Sequence, residues 1–446
     1  MSEHSEPSEH SEPSEHSEPS EHSEPSGHGE PSGHIIVIHR WRDRHAHYEE
    51  YVDHRTHRVT YVTTELALDS VPGGAAAART VPATDDLDAV WRAVTELRTH
   101  FGVPERVVAL NEGDLDTAAV VRERLGCAGQ TPDALARFRD KLTMNQVTAE
   151  AGIPAPAFAD APDEAAVRAF AEHHGWPVVV KPRRGTASRG VVRLDSEADL
   201  PLLRTSPPEP RLVQAFCADP IFHIDGLWTG EELGPWRASR YVNTCVDFTQ
   251  GEALGSVEVD DPELLAPLGE FTSRVAGALG PEPWVFHLEA FVGTSPDGSP
   301  SIQFLEAGYR VGGAEIPFVW REVHGIDLAG AAADVQLGRR PELPVPDVWR
   351  TGGWLLVPSP VPAPCRVTAW DLPEPPTPDE GPYTSVIPAV GQVVPRVGGY
   401  EHVGARFRFR GGSSGDVEKA ILRTASQFRL ECVPERGARV VCGLDR

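Results

Sequence analysis

The sequence predicts a multidomain protein of α/β and α+β class: an N-terminal parallel α/β domain, a mixed central region and a small C-terminal α+β domain. Three observations carry this. Short branched-apolar runs alternate with helical patterns from Ile35 to Leu125, the order that builds a helix-covered parallel sheet. Two strand patterns flank a Ser295-Pro296-Asp297-Gly298 turn, which makes a hairpin. Prolines become dense after Arg339, and short strands then a helix pattern follow. At 446 residues the chain exceeds one hydrophobic core and divides into two or three. The expected boundaries are a tail at 1–34, then domains at 35–130, 131–335 and 336–446.

The first 34 residues repeat Ser-Glu-His-Ser-Glu-Pro and decay to Ser-Gly-His-Gly-Glu-Pro. With no apolar group after Met1, the segment has nothing to offset the entropy of ordering, so a disordered acidic tail is expected. Histidines recur at 4, 10, 16, 22, 28 and 34. Weak chelation of zinc, nickel or copper is one reading, and a solvated low-complexity tail is the favoured one, because no fixed geometry gathers the ligands.

Order begins with strand Ile35–Ile38, a helix reaching about Val52, and strand Val59–Val62. Leu87, Val90, Val94, Leu97 and Phe101 recur at helical spacing, with Asp85 near the start and Gly102 at the end. Strand Arg106–Leu110 and helix Asp116–Leu125 complete the alternation. Ligands of parallel sheets bind beyond the carboxyl ends of strands, which places His39, Arg40, Asn111 and Glu112 near a cleft. The histidine-rich stretch from His39 to His57, with its His45-Ala46-His47 pair, reads as substrate contacts or a solvated face rather than a metal site.

A second block opens at Thr131-Pro132, a helix start, and passes through Arg139-Asp140-Lys141. Helix Asp163–His174 and strand Pro177–Lys181 follow, and then the basic loop from Pro182 to Gly190. Backbone N–H groups of a glycine-containing loop approach phosphate oxygens closely, and Lys181 adds charge at its base. The loop lacks the Gly-Lys-Ser/Thr of a Walker A motif, and a tight turn with solvated arginines is its bland alternative. In the hairpin, a turn near Gly298 sets Glu289 opposite Glu306. Opposed carboxylates about 5 Å apart at Cβ repel unless a cation lies between them, and magnesium bridging phosphate oxygens suits that place. A coincidental pair on a solvated edge is the alternative. In the C-terminal region, strand Gly353–Val357, a strand at 406–410 with one basic and one apolar face, and a helix from about Asp416 are expected.

The formal net charge of −25 argues against nucleic-acid and anionic-membrane partners. No run approaches the roughly 20 apolar residues of a membrane span, and the N-terminus lacks the regions of a signal peptide. A cytoplasmic protein is expected. The cysteines at 127, 217, 245, 365, 432 and 442 show no CxxC spacing, so they read as mostly buried free thiols.

From about residue 100 to 335 the sequence resembles the ATP-grasp superfamily, in particular its carboxylate-amine ligases of the amino-acid and dipeptide ligase type. The resemblance is carried by Asp140-Lys141 with Gly152-Ile153-Pro154-Ala155-Pro156, by Val180-Lys181-Pro182, and by Ser188-Arg189-Gly190-Val191. It continues in Val213-Gln214-Ala215-Phe216, Phe222-His223-Ile224-Asp225-Gly226, His287-Leu288-Glu289 and Phe304-Leu305-Glu306-Ala307-Gly308-Tyr309-Arg310-Val311-Gly312-Gly313. It implies a two-lobed ATP-grasp core at 131–335, with a pre-ATP-grasp domain before it and a lid-like domain after it. ATP and magnesium, or manganese in its place, are the implied cofactors. Lys141 and Lys181 would bind phosphates, Ser188 and Gly190 would belong to the covering loop, Gln214, Ala215 and Phe216 would receive adenine, and His223 would lie beside the nucleotide. Glu289 and Glu306 would hold the metal.

The implied reaction turns a small-molecule carboxylate into an acyl phosphate that an amine then attacks, releasing ADP and phosphate. Such chemistry needs positioned positive charge more than a protein nucleophile. Arg310 is the candidate for stabilising the acyl phosphate, with structural pairing to Glu306 as the alternative. No Gly-x-Ser-x-Gly elbow of a hydrolase is present. Two departures stand out. Gly308 occupies the position, two after the second metal carboxylate, that often carries Asn, and Gln214-Ala215 replaces the acidic residue near the ribose. A biotin-carboxylase-like carboxyl activation and a nonenzymatic nucleotide or metal-binding protein are the competing readings, and a homodimer is admitted as a self-partner.

Overall fold

The computed structural model describes residues 33–41, 45–185, 189–205, 209–243, 248, 251–344, 346, 349–396 and 403–435. The tail at 1–32, Ser188, Cys245 and Cys442 lie outside the described residues. The N-terminal sheet contains β1 (His34–His39), β2 (Arg58–Thr63), β3 (Ala77–Thr80) and β4 (Arg106–Ala109) in the order β3-β2-β1-β4, all parallel. β1 is buried along its whole length because both faces are covered. Ile35 and Val37 face one core with Tyr61, Val108 and Leu328, while Ile36 and Ile38 face another with Val90, Val94 and Leu97. That double burial is why the run is continuously apolar rather than alternating.

Helix Leu87–Phe101 starts where Asp86 accepts from the Ala89 amide and stops at Gly102. Two helices differ from expectation. The one expected to reach Val52 is a single turn, Tyr48–Tyr51. The other begins at Glu112 rather than Asp116, because Asn111 caps it by accepting from the Gly113 amide at 3.0 Å. This earlier start sets Glu112 in the first helical turn, beyond the end of β4.

A second sheet contains β5 (Phe158–Asp160), β6 (Val178–Pro182), β7 (Val192–Leu194) and β8 (Arg211–Ala215) in the order β5-β8-β6-β7, antiparallel throughout. The third and largest begins with β9 (Ile221–Trp228), β10 (Leu233–Tyr241), β11 (Leu254–Glu258), β12 (Trp284–Thr294), β13 (Pro300–Gly308) and β14 (Thr351–Val357). The remaining strands are β15 (Cys365–Asp371), β16 (Thr384–Val386), β17 (Val393–Val394), β18 (Ala405–Gly411) and β19 (Arg429–Pro434). The large sheet has the order β13-β12-β9-β10-β11-β14-β18-β16. Segments expected in a separate C-terminal domain therefore extend the sheet that carries the two glutamates, because β14 pairs with β11 on one edge and with β18 on the other. β17, β15 and β19 form a small sheet of their own.

The hairpin register is the expected one. Glu289 pairs directly with Glu306, and a bulge follows between Glu289 and Ala290. The turn closes through Gly298, whose φ of +88° favours a residue without Cβ. Two of the three arginines on the expected basic face of β18 are buried, Arg406 and Arg408, because both pair with Glu315, while Arg410 is exposed. Cys365 is buried, and Cys127, Cys217 and Cys432 are partly exposed, all four with free thiols. Among the described residues, no helix is long and apolar enough to cross a membrane.

Candidate active site

The opposed glutamates face a cluster of cations drawn from three elements. Lys141 opens helix Lys141–Glu150, whose N-cap Asp140 accepts from the Leu142 and Thr143 amides. Its Nζ stands 3.1 Å from Glu306 Oε2 and donates to the Gly185 carbonyl at 3.1 Å, joining the helix to both the hairpin and the basic loop. Lys181, on β6, is 4% exposed. Burial pushes its ammonium down to about 8, against the upward pull of Glu306. The two carboxyls divide accordingly. Burial and then the charge of Glu306 raise Glu289, whereas for Glu306 the two lysines outweigh burial and hold it below the usual range. Tyr241 donates to Glu289 Oε1 at 2.9 Å.

Arg310 follows β13 and turns back to Glu112, with Nε and Nη2 each 2.6 Å from Glu112 Oε2. The other Glu112 oxygen takes Arg139 Nη1 at 2.5 Å. Although burial pushes Glu112 up, Arg310, Arg139 and Lys141 bring it down to about 2. Arg310 thus has Glu112 rather than Glu306 as its direct partner, and Gly308 leaves its backbone open beside the Arg310 side chain.

Behind Glu289 runs a buried polar chain. Asp225 receives His223 Nδ1 at 2.6 Å on one oxygen and His287 Nδ1 at 2.9 Å on the other. His223 Nε2 is hydrogen-bonded to Ser256 Oγ at 2.7 Å. Burial would raise Asp225, but the two imidazoles hold it far below the carboxylate range. For His287 the order reverses: burial lowers it, yet Asp225 carries it above the usual value. Both nitrogens of His223 are committed, so it bears on a ligand through Asp225 and the facing Glu289.

The hinge and the loop are less gathered. Gln214 is buried with its Nε2 lacking a partner, while the Ala215 and Phe216 amides donate to Ala157 and Pro177. The Phe216 ring is half exposed beneath the Arg193 guanidinium, 4.2 Å away. At the described ends of the loop, Arg183 clamps Asp140 and Arg184 meets Asp116, and Gly190 adopts a φ of +71°. Of the four residues expected beyond the N-terminal strands, only Glu112 joins the site. His39 bonds Ser70 and is pushed by burial down to about 4, Arg40 pairs with Asp114, and Asn111 serves as a cap. His45 is packed against Trp41 and Phe318.

No family model matches the chain. Its sequence is 36% identical over 111 residues, 24% of its length, to the carbamoyl phosphate synthase large chain of Streptomyces avermitilis. The chain spans about 10% to 22% of the length of curated relatives it matches. In structure it is similar to the L-amino acid ligase of Bacillus licheniformis, with a TM-score of 0.67 and 16% identity, covering 90% of this chain and 99% of the other. The biotin carboxylase domain of Hydrogenobacter thermophilus 2-oxoglutarate carboxylase, solved with MgADP and bicarbonate, gives a TM-score of 0.64 at 13% identity over 90% and 91% of the two chains. The chain has the ATP-grasp fold.

On the ATP-grasp scaffold the donor set suits a hard cation. Two carboxylates face each other, one of them raised by burial and its neighbour's charge, and Lys141 and Lys181 lie beside them. Four participants were not singled out from sequence: Asp225, Tyr241, Arg139 and Ser256. Asp225 had a signal, since His223 and Asp225 alternate on one face of β9 as His287 and Glu289 do on β12. Arg139 and Ser256 had none, because their partners lie far away in sequence.

Proposed function

We propose that this chain is an ATP-dependent carboxylate-amine ligase that activates a small-molecule carboxylate as an acyl phosphate and couples it to an amine, releasing ADP and phosphate. The observation that carries the reading is the direct pairing of Glu289 with Glu306 beside Lys141, with Arg310 held at the end of the same strand by Glu112. Glu289 and Glu306 would hold a magnesium ion, which would supply charge neutralisation at the phosphate oxygens. Lys141 and Lys181 bind the phosphates, and the loop at 182–190 covers them. Adenine lies against Gln214, Ala215 and Phe216, where the unpaired Gln214 amide offers a donor.

Arg310 stabilises charge on the transferring group and on the tetrahedral species that follows. The carboxylate oxygen attacks the terminal phosphorus and ADP leaves. The amine lone pair then attacks the acyl carbon, phosphate departs with the C–O electrons, and the amine nitrogen gives up its extra proton to the departing phosphate. Desolvation by the sheet strengthens each of these charge interactions. The substrates are small molecules and the setting is cytoplasmic.

The test is phosphate release from ATP with amino acids offered in pairs. Turnover that needs both a carboxylate and an amine is the expected result. Bicarbonate-dependent turnover without an amine would favour the carboxylase-like reading, and nucleotide binding without turnover would favour a sensor.

A further inference from the structure

Gly308 lies directly opposite His287 in the β12–β13 pair, two residues along the same face from the opposed glutamates. The bulge falls beyond Glu289, so strand alternation keeps His287 beside Glu289 and Gly308 beside Glu306. The His287 ring is aimed along this face. Its Nδ1 is 2.9 Å from Asp225 Oδ1, and because a charged carboxylate only accepts, Nδ1 donates there and Nε2 is the nitrogen left for a ligand. There Nε2 stands 3.8 Å from Glu289 Oε1. Donors about 2.1 Å from one cation lie about 3 to 4 Å apart, so the separation suits a shared ion.

The aim is rigid. Asp225 is 2% exposed, and its second oxygen is tied through His223 to Ser256. A Cβ at Gly312 would stand 2.4 Å from Asp225 Oδ1 and 2.9 Å from His287 Nδ1, so glycine is what lets the segment after β13 close over the pair. An imidazole that gives one N–H to a carboxylate while its other nitrogen faces outward is the arrangement that orients metal-bound histidines.

We propose that His287 is a protein ligand of the divalent cation held by Glu289 and Glu306, supplying from β12 the donor that Gly308 lacks on β13. The proposal rests on the metal reading of the two glutamates. Asp225 is the positioning residue for that ligand. His223, Asp225 and His287 have ligand atoms within 4.8 Å of one another, but these atoms are spent on mutual hydrogen bonds, and a cation among them would break two. An imidazole nitrogen beside carboxylate oxygens shifts preference from magnesium toward manganese and its heavier neighbours.

The test is pulsed electron paramagnetic resonance of Mn²⁺ on the full chain, with and without a nonhydrolysable ATP analogue. Wild-type protein should show nitrogen coupling from a directly bound imidazole, and the coupling should vanish in both His287→Ala and Glu306→Ala. Coupling that survives in both arises from other histidines, such as those of the N-terminal repeat, and overturns the proposal. Mn²⁺ bound in a Glu306-dependent way without nitrogen coupling overturns the role of His287 alone. Absence of any Glu306-dependent binding overturns the metal reading as well. Asp225→Asn should weaken Mn²⁺ binding by about 10- to 100-fold. In the His287→Ala background, Gly308→Asn should restore binding with magnesium now favoured. A Cβ at Gly308 meets its nearest neighbour, Arg310, at 3.4 Å, an ordinary contact, so failure to restore binding counts against the proposal.

Discussion

Arg310 and Glu112 form a two-pronged ion pair, both nitrogens 2.6 Å from one carboxylate oxygen, that ties the end of β13 to the first turn of helix Glu112–Leu125. The pair spans 198 residues of sequence. It fixes the guanidinium plane beside the glutamates before any substrate arrives, which is what preorganised charge stabilisation requires.

Arg310→Lys should therefore lower turnover by about 10²-fold with little change in ATP affinity, because the ammonium keeps the charge and loses the fork. Phosphate release and nucleotide binding, measured over a magnesium titration, check this. Full rescue by excess magnesium would assign Arg310 to bracing the metal site instead.

The same pair predicts an acid limb. Glu112 is held at about 2 in the folded chain against an ordinary value of 4.5, so its stabilising contribution is complete above pH 4.5 and disappears as pH falls toward 2. With its side chain 15% exposed, the shift is worth on the order of 3 kcal/mol. The stability difference between wild type and Glu112→Gln, from urea unfolding, should shrink steadily from pH 5 to pH 2. A difference that is constant over this range would contradict the assignment.

How much of this was legible in the sequence depends on the reach of each interaction. The facing of Glu289 and Glu306 follows from a turn and a period-two pattern within about 20 residues of chain, so local chemistry specified it. The caps Asp163, Thr131 and Gly102 were readable for the same reason. The partner of Arg310 was not, since nothing near it in sequence points to Glu112, and the nearby Glu306 looked the better candidate. The joining of β14 and β18 to the sheet that carries the two glutamates was likewise hidden, because edge pairing between distant strands leaves no periodic trace. The alternation of arginine with phenylalanine in β18 was legible as a pattern, but the burial of Arg406 and Arg408 depends on Glu315.

Glu306→Ala should leave the fold intact while greatly weakening magnesium-dependent turnover, since it removes the proposed hard oxygen ligand and the carboxylate partner of Lys141. Circular dichroism and phosphate release over a magnesium series provide the check. Unchanged turnover at saturating magnesium would sink the metal assignment.

Lys181 gives two pH effects of opposite sign. Its folded value is about 8 and its ordinary value 10.5, so between these limits the unfolded chain holds the proton and the folded chain has released it. Fold stability from this group should then rise with pH across that interval. Affinity for ATP should fall over the same interval, because the phosphate-binding charge is lost. Lys181→Ala should weaken ATP binding at pH 7 by at least about tenfold, on the scale of one charge-assisted hydrogen bond, and should flatten both profiles. Calorimetric titration of ATP at pH 7 and pH 9.5 separates them, and equal wild-type affinities at the two values would refute the role given to Lys181.

Glu315 supplies the last prediction. It is fully buried, lies just after Ala314, whose φ is +54°, and bonds Arg408 at 2.5 Å and Arg406 at 3.1 Å. Removing its carboxylate leaves two arginines enclosed, one of which still reaches Glu322. Breaking a buried ion pair from one side costs about 3 to 5 kcal/mol, so Glu315→Ala should lower the urea midpoint strongly. The same change frees the segment that follows Arg310 from its anchor on β18, so turnover should fall at temperatures where the variant is still folded. Glu315→Gln separates charge from shape: it keeps a carbonyl acceptor in place and should recover part of the activity but little of the stability, because the negative charge that both arginines share is lost. If both variants kept wild-type stability, the two arginines would have to reach water by another route, and the view that Glu315 anchors the Arg310 segment to β18 would be wrong.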